Sequence, residues 1–238
     1  MADFSDSDDE PIVRHQFKVV LLGDGAVGKT SLASRFANDS FAMTYKQTVG
    51  VDFFLKHIEL PGGVEVALQV WDIGGQSIGS PMTAKYIFGA DAVCFVYDIT
   101  CYDSFADLED WLRLLTKVYP RGAANRPSLQ LMANKTDLGY LRKVKPAAHN
   151  AFADANRMAG HQLSAKTGDR VAGAFQRIAA ALAGVALDKP AVDRAAVVVT
   201  AALPDHQQHD PAVSAPDHRG QREAAKAGGG KRGGCCVQ

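Results

Sequence analysis

The sequence predicts an α/β fold: a six-stranded, mostly parallel sheet with one antiparallel strand and helices on both faces. Three observations carry this. Short apolar runs alternate with stretches of helical periodicity, the pattern that builds parallel sheets with crossover helices. Two runs, 92–97 and 129–133, are apolar apart from Gln130, as expected of strands covered on both faces. Another pair, 51–60 and 64–71, is separated only by Pro61-Gly62-Gly63, a hairpin turn that makes its flanking strands antiparallel.

Taken in order, residues 1–15 hold Asp3, Asp6, Asp8, Asp9 and Glu10 and are expected to be disordered; they are the reverse of a basic signal-peptide start. The run 17–22 is a strand, closed by a glycine-rich turn and followed by a helix over 29–36. The hairpin and the strand 92–97 come next. Ser104 is expected to cap a helix whose buried side is Phe105, Leu108, Trp111, Leu112, Leu115 and Val118. After strand 129–133 come helices over 147–156 and 171–182, with a short strand near 161–163. One domain is therefore expected over 16–187. From 188 to 238 the composition turns to Ala, Pro, Asp, His and Gln, which predicts a flexible tail.

Composition narrows the function classes. Hydrophobic residues make up 47% and charged residues 22%, ordinary for a globular chain with a real core. Lys+Arg and Asp+Glu are 26 each, so no global field recruits nucleic acid. No apolar run approaches the roughly 20 residues that span a bilayer. Cys94, Cys101, Cys235 and Cys236 are too few and too badly spaced for a disulfide framework, which suits a reducing, cytoplasmic setting.

The chemistry lies in loops that follow the strands. Gly23-Asp24-Gly25-Ala26-Val27-Gly28-Lys29-Thr30 fits G-x-x-x-x-G-K-[ST] between a strand and a helix. Backbone N–H groups from Asp24 through Ser31 and the helix N-terminus suit phosphate oxygens. Lys29 would reach the β- and γ-phosphates, and the Thr30 hydroxyl would ligate Mg²⁺. Asp72 ends the second hairpin strand, where an acidic group can hold Mg²⁺ through water. Gly75 leaves its N–H free to approach a γ-phosphate, and Gln76 follows, placed to orient an attacking water. Thr48, in the loop before the hairpin, offers a further Mg²⁺ ligand.

Asn134-Lys135-Thr136-Asp137 follows strand 129–133. An ionised carboxylate only accepts hydrogen bonds, so Asp137 suits the N1–H and 2-amino donors of guanine, a pair adenine lacks. The Lys135 stem can lie over the base, and Asn134 can tie this loop to the phosphate loop. Ser164-Ala165-Lys166 adds a backbone N–H, that of Ala165, for guanine O6.

Together these segments resemble the Ras-like small GTPases over roughly residues 16–184, and the Gly50-Val51-Asp52-Phe53 string with Phe53, Trp71 and Tyr86 is similar to the Rab branch. The resemblance implies the P-loop GTPase fold, GTP and GDP as substrate and product, and slow hydrolysis. It implies a switch in membrane trafficking that engages an exchange factor, a GTPase-activating protein, effectors and a prenyl-handling chaperone, as a monomer. In that branch the trio Phe53, Trp71 and Tyr86 forms a hydrophobic effector patch. The chain departs from the common Rab pattern at Ile73-Gly74 and Ser77-Ile78-Gly79; Trp-Asp-Ile-Gly-Gly-Gln is similar to Arf-type switches, but residue 2 is Ala rather than a myristoylation glycine.

Cys235-Cys236-Val237-Gln238 fits C-a-a-X with a terminal Gln, which favours farnesyl on Cys235. Two geranylgeranyl groups, or prenyl on Cys235 with palmitoyl on Cys236, are the alternatives. Any of these predicts reversible attachment to the cytosolic face of a membrane. Two competing functions are disfavoured: Gln76 argues against a non-hydrolysing adaptor, and Asp137 against an ATP-dependent enzyme.

Overall fold

The computed structural model describes residues 13–187, apart from residue 121. All of them lie in the first of the two units into which the chain divides, Met1–Val198 and Val199–Gln238. Six strands form one sheet: β1 (Val13–Leu22), β2 (Val51–Leu60), β3 (Val64–Ile73), β4 (Ala92–Asp98), β5 (Ser128–Asn134) and β6 (Ala159–Gln162), in the order β2-β3-β1-β4-β5-β6. Only β2 runs antiparallel, paired to β3 from Val51↔Ile73 to Leu60↔Val64. The hairpin turn works as its residues predict: Gly62 and Gly63 take φ of 80° and 68°, backbone that a side chain would strain.

Helices cover both faces, as the alternating pattern requires. On one face α1 (Lys29–Asn38) and α6 (Val171–Ala183) bury Leu32, Phe36, Phe175 and Ile178 against Val19, Leu21 and Val96. Phe36 and Phe175 stack with ring centroids 4.1 Å apart. On the other face lie α2 (Pro81–Ile87), α3 (Tyr102–Ala106), α4 (Leu108–Val118) and α5 (Pro146–Asn156). They bury Ile87, Leu108, Trp111 and Leu115 against Val20, Phe95 and Tyr97. Every residue of β4 is buried, which explains its unbroken apolar run. The order turns in opposite directions on either side of β1, and the carboxyl ends of the strands there open the crevice in which such sheets bind ligands.

Three expectations need correction, and one helix was not anticipated. Val13, Arg14 and His15 belong to β1, because the register with β3 begins at Val13↔Val64; residues 1–12 and the tail from 188, with Cys235 and Cys236, lie outside the described residues. Ser104 is not a helix cap. It lies inside α3, where its Oγ accepts from the Asp98 N–H (3.1 Å) and donates to the Cys101 carbonyl (2.8 Å). The apolar stripe behind it therefore spans two helices, with α4 starting anew at Leu108. The last strand lies two residues earlier than expected at its start, since β6 pairs through Gln130↔Ala159. Finally, α2 gave no periodic signal in its seven residues. Its marker is Ser80-Pro81: Ser80 Oγ accepts from the Met82 N–H (3.3 Å) with Pro81 at the first turn, a pairing favoured at helix starts.

Candidate functional site

The glycine-rich loop joins β1 to α1, and its conformation explains its composition. Gly23 has φ 138°, and a β-carbon there would sit 2.1 Å from the Val96 carbonyl oxygen. Gly28, at φ 94°, caps α1, and its β-carbon would lie 2.4 Å from Asn134 Nδ2. Thus the loop is pressed against β4 and against the loop after β5. Asp24 Oδ1 accepts from Trp111 Nε1 at 2.9 Å. Burial raises the Asp24 pKa, with the Trp111 bond opposing the rise. Ala26 holds φ 60°, an uncommon conformation for a residue with a side chain. Lys29, Thr30 and Ser31 form the first turn of α1.

Lys29 is buried, and its Nζ donates to the carbonyls of Gly23 and Asp24, both at 2.7 Å. Burial lowers its pKa to about 8, while Asp72 and Asp24 pull it upward. Three oxygens converge beside it from three segments. Thr30 Oγ1 lies 2.8 Å from Thr48 Oγ1 and donates to Asp72 Oδ2 at 2.5 Å. Thr48 Oγ1 donates to the same Asp72 oxygen at 3.3 Å. Asp72 is fully buried, its pKa raised chiefly by that burial. Its Oδ1 has no hydrogen-bond partner, an uncommon state for a buried carboxylate oxygen.

The segment after β3 closes on this loop. A β-carbon on Gly75 would meet Gly25 N at 2.2 Å and the Asp24 carbonyl oxygen at 2.6 Å, so the two backbones touch. One on Gly25 would lie 3.3 Å from Gln76 Nε2 and 3.9 Å from the Tyr45 hydroxyl, which places both side chains over the loop. Gly74 N–H donates to the Gly50 carbonyl at 2.9 Å, tying the segment before β2 to the one after β3. The aromatic trio also assembles: Phe53 and Trp71 pack edge to face at 5.7 Å, and Trp71 and Tyr86 lie 6.5 Å apart. Phe53 is 53% exposed. Behind the trio, Lys18 Nζ stands 4.2 Å over the Trp71 ring and donates to the Phe88 carbonyl.

A second cluster forms beyond β5. Asn134, 1% exposed, donates from Nδ2 to the Val27 carbonyl at 2.8 Å and accepts the Ala165 N–H on Oδ1 at 3.1 Å. Asp137 Oδ1 accepts from Ser164 Oγ at 2.6 Å. Lys135, at φ 66°, pairs with Asp98 Oδ2 at 2.8 Å. Asn134, Lys135, Asp137, Ser164, Ala165 and Lys166 are thus brought together from two loops. Two residues to which the sequence reading gave no site role also contribute: Trp111, which orients Asp24 in the glycine-rich loop, and Arg35, whose guanidinium donates to the carbonyls of Ala165 (3.1 Å) and Lys166 (2.9 Å) beside this second cluster. Trp111 reads as core by its periodicity, and Arg35 as a surface cation, so neither carried a local signal.

Comparison with known proteins gives the family of the chain. The Ras family model matches residues 18–183. The chain is 44% identical over 192 residues to Ras-related protein Rab-28 of Caenorhabditis elegans, covering 81% of this chain and 75% of that one. It is 36% identical to Ras-related protein Rab-13 of Rattus norvegicus over 69% of this chain and 79% of the relative. For Ras-related protein Rab-30 of Homo sapiens the figures are 38%, 70% and 79%. With a glycine loop, a sheet order and two flanking clusters that all follow from its own residues, this chain belongs to the Ras family, as a Rab-like small GTPase that hydrolyses GTP.

Proposed function

We propose that the protein is a Mg²⁺-dependent GTP/GDP switch in membrane trafficking, which recruits effectors in its GTP state. The observation that carries the reading is the meeting of Thr30, Thr48 and Asp72. Hydroxyl and carboxylate oxygens from three segments suit a hard divalent cation, and the unpartnered Asp72 Oδ1 suits a water held by such an ion. Bound there, Mg²⁺ would offset charge on the β- and γ-phosphate oxygens. The Lys29 ammonium would exchange its two carbonyl acceptors for phosphate oxygens. Backbone N–H groups from Asp24 to Ser31 would hold the phosphates at the start of α1.

Gln76 would orient a water for attack on the γ-phosphorus, yielding GDP and phosphate. The Gly75 N–H, reachable because no side chain shields it, would bond the γ-phosphate together with the segment holding Thr48. Loss of that phosphate would release both segments, and with them the surface around Phe53, Trp71 and Tyr86 that effectors would read. Asp137 would take the guanine N1–H and 2-amino group, with Ser164 holding its carboxylate in place. Among the described residues no arginine is placed to stabilise the transition state, so intrinsic turnover would be slow; a GTPase-activating protein would add roughly 10³–10⁵-fold. An exchange factor would reload the protein with GTP.

No helix among the described residues is long and apolar enough to cross a membrane. Attachment would instead use Cys235, or Cys235 and Cys236, with a prenyl-handling chaperone covering the lipid in the cytoplasm. A single chain gives marginal residence, and Lys226, Lys231 and Arg232 would add about 1 kcal/mol each near an anionic leaflet. Dissociation of a fluorescent GDP analogue tests the core of the reading. It is expected to accelerate at least about tenfold on chelation of Mg²⁺ and to be competed by GDP and GTP but not ATP. A rate indifferent to chelator would overturn the metal assignment.

A further inference from the structure

We propose that Arg35 is a positioning residue for base recognition: it sets the loop 164–166 so that the nucleotide site prefers a 6-oxopurine. This rests on the guanine reading above and adds a residue that no motif contains. The loop is internally braced by Ser164 N–H to the Asp169 carbonyl (3.1 Å), Gly168 N–H to the Ser164 carbonyl (2.9 Å) and Thr167 N–H to Ser164 Oγ (3.2 Å). Those bonds hold its shape but not its place. Its place depends on what it touches elsewhere: Leu163, bonded to the Ala133 carbonyl (3.0 Å), anchors its start, Asn134 and Asp137 hold one side, and Arg35 holds the other.

The guanidinium is used on both edges. Nε and Nη2 donate to the successive carbonyls of Ala165 (3.1 Å) and Lys166 (2.9 Å), while Nη1 donates to the Asp39 carbonyl (2.9 Å) and Asp39 Oδ1 (3.1 Å). Its side chain is 18% exposed, whereas that of Asp39 is 89% exposed. The ion pair is therefore a screened surface contact, and the charge-assisted bonds to carbonyls are the stronger ones. Ala165 is held at both ends, its N–H by Asn134 and its carbonyl by Arg35. That N–H is the group expected to meet guanine O6, which would share it with Asn134 Oδ1.

Helix α1 supplies the reason for the arrangement. Its first turn carries Lys29 and Thr30 at the phosphate end, and Arg35 stands in its last turn. One rigid helix thus spaces the phosphate site from the base site. Without the fork, the loop keeps its internal turn but can drift from the base, and a drift of a few tenths of an ångström weakens a hydrogen bond to O6 more than it weakens stacking. Lys cannot replace the fork, because it is a single point donor on a flexible stem.

The test uses the full chain and competition of a fluorescent GDP analogue by two ligands, GDP and 2,6-diaminopurine riboside diphosphate, in which a 6-amino donor replaces O6 and N1 becomes an acceptor. The change in ratio between variants, and not the parent ratio alone, therefore reads the part of Arg35. Parent protein, Arg35→Ala, Arg35→Lys and Asp39→Ala are compared, with thermal unfolding of each. The parent is expected to prefer GDP, Arg35→Ala to lose about tenfold of that preference, Arg35→Lys to fall between, and Asp39→Ala to keep the parent ratio. Equal weakening toward both ligands would mark a merely structural role and overturn the proposal, as would an unchanged ratio. If Arg35→Ala does not fold, a parent-like ratio in Arg35→Lys has the same consequence. A parent with no preference for GDP would remove the guanine reading itself, an outcome separable from failure of Arg35 alone.

Discussion

Replacing Asn134 by Ala offers the sharpest test of how the two nucleotide loops are joined. The side chain is 1% exposed and makes two bonds, to the Val27 carbonyl at 2.8 Å and from the Ala165 N–H at 3.1 Å. Its Nδ2 also occupies the space a β-carbon on Gly28 would need. Alanine leaves both backbone groups unpaired in a buried place, and each such group costs about 1–3 kcal/mol. With guanine bound, the Ala165 N–H regains an acceptor in O6, but the Val27 carbonyl regains none. The Val27 penalty is present with or without nucleotide and so falls on folding stability, by about 1–3 kcal/mol, while affinity falls through the slack left between the two loops, expected at about tenfold. Asn134→Asp is a stricter control. It keeps an acceptor for Ala165 but sets a carboxylate oxygen against the Val27 carbonyl, so it is expected to be at least as damaging as Ala. Dissociation of fluorescent GDP, chased with excess unlabelled GDP, reads the effect directly, with urea unfolding as the check on folding. A folded Asn134→Ala protein that releases GDP within about twofold of the parent rate would refute the bridge.

Other outcomes follow from the same geometry. Gly75→Ala places a β-carbon 2.2 Å from Gly25 N, so one backbone must move by roughly 1 Å to reach ordinary contact; single-turnover GTP hydrolysis is expected to fall at least about tenfold while GDP binding stays near the parent value, and unimpaired hydrolysis would contradict that contact. His161 is buried, with Nε2 on Gln130 Oε1 at 2.9 Å and Nδ1 unpartnered. Burial, then the charges of Arg177 and His149, lower its pKa to about 4. The unfolded chain takes up this proton near pH 6.5 and the folded chain does not, so stability is present above about 6.5 and lost as pH falls toward 4, by roughly 3 kcal/mol. Urea midpoints should show a flatter acid limb for His161→Gln, and parallel limbs would contradict it. Cys235→Ser, or the pair with Cys236→Ser, is expected to move the protein from membrane to soluble fractions, and unchanged fractionation of the pair would exclude the lipid anchor.

Much was legible in order along the chain, because backbone-determined features leave local marks. The largely apolar runs of β4 and β5, the Gly62-Gly63 turn and the glycine-rich loop between β1 and α1 each depend on residues within about ten positions. The pairing of Asp72 with Thr30 could be read from the metal chemistry their types imply. Residues 13–15 could not: Val-Arg-His has no strand signal of its own and is extended only because β3 offers it a partner. Ser104 had the right type and place for a cap, but the end of β4 outcompeted the helix for its hydroxyl.

The part that needed the third dimension is the set of contacts that hold the loops against one another. Asn134 and Val27 are 107 positions apart, Arg35 and Ala165 are 130 apart, and Trp111 and Asp24 are 87 apart. Hydrogen bonds across such separations leave no periodicity and no spacing rule, since they depend on where six strands deliver their ends. The glycine-rich loop and the strings proposed to read the base are thus legible in the sequence as chemistry, while the distance between them is set by α1 and the sheet order.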